Sequence, residues 1–251
     1  LHGAARGGTG ADESAAAARR ALTHLAEVAE RQRRARPAEV LMDYTVWSHP
    51  CTLLLAATVA GASTSEPVRA LARDALAELA RKQQKDGGWS YYLSGTVAGS
   101  ATPCQVSMSF TTALALRALV AAPALDVDLE EELLSGAADA LEGMRRDDGA
   151  FVYLAEHTSG ARTGGTPGDA AGRGPGCALA LLEAGRADVE DVRERLELFL
   201  EHLPALEHEQ GKVLMHCGPV AQGSHYVLFD YWQAAEAGAA LPATERAPFR
   251  T

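Results

Sequence analysis

The residues best suited to chemistry lie in one run near the C-terminus. His225, Tyr226, Phe229, Asp230, Tyr231 and Trp232 fall within eight positions. An imidazole and a carboxylate can exchange protons, and aromatic faces can hold apolar or cationic groups. At helical spacing His225, Phe229 and Trp232 share one face, with Tyr226 and Asp230 about a quarter-turn away. Ser224, His225 and Asp230 do not make a hydrolytic triad, because neighbours in a helix point apart. A buried Asp230 needs a partner, either a backbone donor or an arginine. The plainer reading is that these aromatics close the end of a helical core.

Other candidates are more scattered. Asp43 and Glu156 join His225 and Asp230 as possible acids or bases. His216-Cys217, with His225 beyond, offers imidazole and thiolate of the kind zinc binds. The ligands there are adjacent in sequence, so no cofactor is favoured and zinc stands as the alternative. Asp126-x-Asp128 and Asp147-Asp148 read as a helix cap and a turn.

What must position these residues is a repeat. Gln83-x-x-x-Gly87-x-Trp89 is followed by Arg145-x-x-x-Gly149-x-Phe151, and then by Glu207-x-x-x-Gly211-x-Val213. The glycines at 87, 149 and 211 keep one interval of 62, and a fixed period of that size marks a repeated unit. In each unit an amphipathic segment precedes the turn and an apolar one follows it. Leu71, Ala75, Leu76 and Leu79 make a stripe opposite Arg73, Asp74, Glu78 and Arg81, whereas Val106–Ala122 holds Arg117 as its single charge. A segment apolar all round is a buried helix, and a striped one covers it.

These patterns predict an all-α fold of four helical hairpins, about eight main helices. The units run over about 12–62, 64–122, 126–184 and 188–241, within one domain at 12–242. Inner helices start near 51, 105, 177 and 224. Residues 1–11 read as a flexible N-terminus and 243–251 as a tail. Residues 158–174 are glycine-rich and read as a mobile linker or lid.

Each long linker joins an outer helix's end to an inner helix's start, so all linkers lie on one face. That face gathers Tyr44, Trp47 and His49; Tyr91, Tyr92 and Gln105; Tyr153 and His157; His216 and Tyr226, with Phe229 just inside the last helix. Aromatics, imidazoles and carboxylates around inner-helix starts are the material of a ligand pocket.

The Gln83-x-x-x-Gly87-x-Trp89 turn resembles the repeat of squalene–hopene cyclases and related terpene cyclases and prenyltransferases, which are α/α toroids. There it is a structural staple, so Gln83, Gly87, Trp89, Gly149, Phe151 and Gly211 are expected to hold the fold. The resemblance implies a cavity for an isoprenoid. The D-x-D-D motif of the cyclases is absent, the Asp, Cys and His zinc set of the prenyltransferases is unmatched, and four hairpins are fewer than such rings close with. The ring is then open, completed by another protein chain, or short of a part that lies outside this sequence.

Three functions follow: a cyclase- or prenyltransferase-like protein for a small apolar molecule, a carbohydrate-active toroid such as a polysaccharide lyase, or a partner-binding scaffold. A net charge of −10 without a basic face argues against nucleic acid. No apolar run reaches the ~20 residues of a membrane span. Four cysteines without a CxxC pair read as reduced thiols, which favours the cytoplasm, although a start at Leu1-His2-Gly3 leaves an earlier targeting segment open.

Overall fold

A computed structural model describes residues 16, 17, 19–24, 27, 28, 31, 43, 45–59, 66–92, 106–157, 159–212 and 218–249. Helical residues occur between 16 and 31, and the elements after them follow in order. They are α1 (Thr45–Val59), α2 (Glu66–Lys82), β1 (Val106–Met108), α3 (Ser109–Ala121) and α4 (Glu131–Gly143). Next come β2 (Leu154–Glu156), β3 (Arg162–Thr163), α5 (Pro167–Ala170), α6 (Gly174–Glu183), α7 (Val189–Gln210) and α8 (Val227–Ala240). The chain is predominantly helical, as its periodicity predicts.

The two kinds of helix separate into two layers. The apolar helices α1, α3, α6 and α8 pack side by side in chain order. The amphipathic helix α2 covers α1, α4 covers α3 and α6, and α7 covers α6 and α8. Residues Ser109–Leu119 of α3 are all buried, whereas α2 buries only Ala72, Ala75, Leu76 and Leu79. Arg117, alone among the apolar side chains of α3, bonds Glu183 of α6 and Gln233 and Glu236 of α8. Paired charge at three helices' meeting point keeps that guanidinium from being stranded.

Two of the three turns repeat bond for bond. The amide of Gly87 donates to Gln84 O and that of Gly149 to Arg146 O. Asp86 takes the amide of Gly88, and Asp148 that of Ala150. Both glycines have positive φ, 92° and 77°. A Cβ on Gly87 would sit 2.0 Å from the carbonyl oxygen of Gly136 in α4. Trp89 is wholly buried, its indole donating to Leu79 O at 2.9 Å, and Gln83 reaches both Gly87 O and Leu133 O. Gly211 breaks the series: its φ is −81° and a Cβ there meets nothing within 4 Å. It caps α7 as any residue could.

Three expectations change. Helix α1 begins at Thr45 and carries Pro50 inside it, so Trp47 and His49 belong to its first turns rather than to a linker. Asp43 supplies the reason, accepting the amide of Thr45 as an N-cap does. Within the linkers of the second and third units the chain also forms a small antiparallel sheet in the order β1-β2-β3. The second half of the glycine-rich linker is not a loose lid, because Asp169–Gly174 is buried, whereas 159–163 is exposed. Its glycines serve close approach: a Cβ on Gly164 would meet Gln222, Tyr153 and Asp169, and one on Gly172 would meet Asp230.

Trp89→Ala should cost about 3–5 kcal/mol in denaturant unfolding, as other buried aromatic truncations do. Gly87→Ala should cost more than about 1 kcal/mol, and Gly211→Ala should stay within about 0.5 kcal/mol. Equal costs for the two glycine variants would contradict the assignment of these turns.

Candidate functional site

The helix starts bring aromatic rings together at one end of the apolar layer. Phe110, second residue of α3, is the centre. Its ring lies 5.4 Å from Trp47 of α1, 5.2 Å from Tyr226 and 5.1 Å from Tyr153. Trp47 also meets Phe229 of α8 edge-on at 5.0 Å. These separations fall where ring quadrupoles attract. Tyr91 lies against Tyr92 with its ring tilted, at 4.6 Å, and approaches Phe110.

Hydroxyls meet within this cluster. Tyr91 and Tyr153 share a hydrogen bond of 2.7 Å, and Tyr226 donates to Tyr91 at 3.4 Å. Tyr91 and Tyr153 are themselves 62 residues apart, so the repeated turn delivers both. Burial, with the adjoining phenols, raises their pKa values and keeps them protonated.

Behind the rings lies a charged floor. Arg173 is buried and donates to Phe151 O, Asp169 O and Asp169 Oδ2, each at 2.8 Å, and also to Gly164 O. Its guanidinium lies 5.7 Å from the centroid of Tyr153. Asp169 further accepts the amides of Gln222 and Gly223. Asp230 is 3 % exposed, and among the described residues no donor hydrogen-bonds its carboxylate. Burial pushes its pKa well above the usual carboxylate range, and the Arg173 charge opposes this only in part. Between floor and rings is a cavity of about 10 Å³, lined by Phe110, Tyr153, Arg173, Gln222, Gly223, Tyr226 and Asp230. It suits a single water-sized group.

The other anticipated residues are placed elsewhere or held differently. Asp43 accepts from Lys82 at 2.5 Å and from Thr45; burial alone would raise its pKa, but these bonds bring it below the usual value. Burial, helped by Lys82, lowers His49 to about 4, so this imidazole is neutral near pH 7. His157 pairs with Asp86 at 2.7 Å and Ser107 at 3.0 Å, tying the sheet to the first turn. Glu156 lies on β2 beside Ser159. His225 stands edge-on to Tyr226, at 4.4 Å. Tyr44, Gln105, His216 and Cys217 lie outside the described residues. Among the described residues no group of three His, Cys, Asp or Glu side chains could hold a metal. Burial raises the free thiols Cys51 and Cys177 to about 11 and about 12, which leaves them unreactive.

Sequence reasoning passed over Phe110, Asp169 and Arg173. The signal available was the period: Arg173 lies 62 residues after Thr111. Thr111 hydroxyl donates to Trp89 O, and Arg173 Nε donates to the equivalent Phe151 O. No family model matches the chain, and no curated protein or solved structure does either.

A carboxyl that folding keeps protonated has a definite pH signature. The unfolded group ionises near 3.8, so above that pH the folded state holds a proton the unfolded state releases. Stability is therefore lost as pH rises through this window. Asp230→Asn should raise Tm relative to the parent, by a margin that grows as the pH rises above the ordinary carboxylate range. A margin independent of pH would mean an ionised, paired Asp230.

Proposed function

We propose that the chain is an α/α-toroid-type protein, built like terpene cyclases and prenyltransferases, that binds an apolar, isoprenoid-like molecule on its linker face. The observation that carries this reading is the gathering of Trp47, Phe110, Tyr226 and Phe229 at one mouth, beside Tyr91 and Tyr153. An aliphatic core has no need of so many rings in one place. Trp47, Tyr92, Tyr226 and Phe229 are only half-buried, which leaves ring surface for an apolar chain to cover. The toroid part rests on the side-by-side order of α1, α3, α6 and α8. Trp47 of the first apolar helix touching Phe229 of the last is what a curled array requires. Any catalytic step would fall to Asp230, which lines the cavity beside these rings, or to His225, edge-on to Tyr226.

A second reading has its own support. Leu228 is 77 % exposed, and Tyr231 and Trp232 are 37 % exposed on the same helix. Such a face on the last helix of the array suits a partner chain that completes a ring. The sugar-lyase alternative draws nothing comparable, since Asp43 is committed to Lys82 and Thr45.

Trp47 is a built-in reporter. Titration with farnesol should give a saturable change in tryptophan emission, and Trp47→Phe, which keeps a ring in place, should remove it. An unchanged emission in the parent protein would reject binding at this mouth. A twofold mass in solution, abolished by Leu228→Glu, would instead support the partner reading.

A further inference from the structure

The small cavity behind the aromatic mouth is lined by groups that the ring packing does not need. Asp230, Gln222, Arg173, Tyr153 and Tyr226 all face it, and Asp230 is more than nine-tenths buried. Among the described residues the Asp230 carboxyl finds no hydrogen-bond partner. A buried polar group without one is costly, so its persistence points to an occupant.

The occupant's chemistry can be narrowed. A volume of about 10 Å³ admits one oxygen-sized group. The Arg173 guanidinium is already engaged by Phe151 O, Asp169 O, Gly164 O and Asp169 Oδ2, so it has little left for a phosphate or carboxylate. A free cation is disfavoured by the same guanidinium. What remains is a neutral oxygen that hydrogen-bonds with the buried carboxyl group. Gly172 makes the arrangement possible, because a Cβ there would fall 2.2 Å from Asp230 Oδ2.

We infer that this cavity is the subsite for a single uncharged oxygen of the ligand, an alcohol or ketone, held by Asp230 while the apolar chain lies over the rings. The inference rests on the proposed apolar site and narrows it to mono-oxygenated molecules, excluding pure hydrocarbons and diphosphates as preferred ligands.

Three probes of one carbon skeleton test it: farnesol, farnesene and farnesyl diphosphate, titrated against the parent protein by Trp47 emission. Farnesol should bind at least about tenfold tighter than farnesene, the order expected when a site's polar groups lose their partner. The diphosphate should bind no better than farnesol. Asp230→Leu should abolish the preference by weakening farnesol alone, and Asp230→Asn, which keeps a donor, should retain it. Equal binding of farnesol and farnesene by the parent protein overturns the oxygen subsite and leaves the apolar site standing. Tightest binding of the diphosphate overturns the neutral assignment. Failure of all three to bind overturns both.

Discussion

Two backbone carbonyls, those of Trp89 and Phe151, set the geometry on which the rest depends. Each emerges from a tight glycine turn into the apolar interior, where an unpaired carbonyl would be expensive. Each is met by a side chain at the start of the next apolar helix, Thr111 Oγ1 in one unit and Arg173 Nε in the other, and the Trp89 carbonyl also accepts the Met108 amide. These bonds fasten turn to helix. Two residues further on, Tyr91 and Tyr153 are thereby carried to the same place, where their hydroxyls join.

The difference between threonine and arginine separates the two units chemically. Thr111 shares its carbonyl with the Met108 amide and brings no charge. Arg173 brings a charge into the interior, and that charge requires Asp169, which then organises the amides of Gln222 and Gly223 ahead of α8. The second junction therefore carries a buried guanidinium where the first carries a hydroxyl. Its glycines follow from the same cause, because side chains and backbone crowd around the guanidinium and Asp230. The floor of the mouth is a consequence of how one repeat solved a buried carbonyl.

Much of the fold was legible in the sequence for simple reasons. Amphipathic and all-apolar segments alternate strongly, and period alone assigns outer and inner helices. Trp89 and Gly87 announced their turn because few residues fit those positions. Gly211 misled because identity and spacing do not reveal φ: the residue occupies the right interval with an ordinary backbone. The linker 158–174 misled for a related reason, as glycine serves looseness and close approach alike. The Asp169–Arg173 pair at i,i+4 was visible and would have argued for order. Of the mouth, Trp47, Tyr91, Tyr92, Tyr153, Tyr226 and Phe229 could be named from topology. Phe110 could not, since an aromatic in an apolar helix looks like core until its neighbours are known.

The central claim is that two equivalent turns deliver two phenols to one point. A double-mutant cycle on Tyr91→Phe and Tyr153→Phe, read by denaturant unfolding, tests it directly. Hydroxyls in contact should give a coupling of at least about 0.5 kcal/mol. Additive single effects would mean that the hydroxyls do not meet, and the account of the mouth would fail with them.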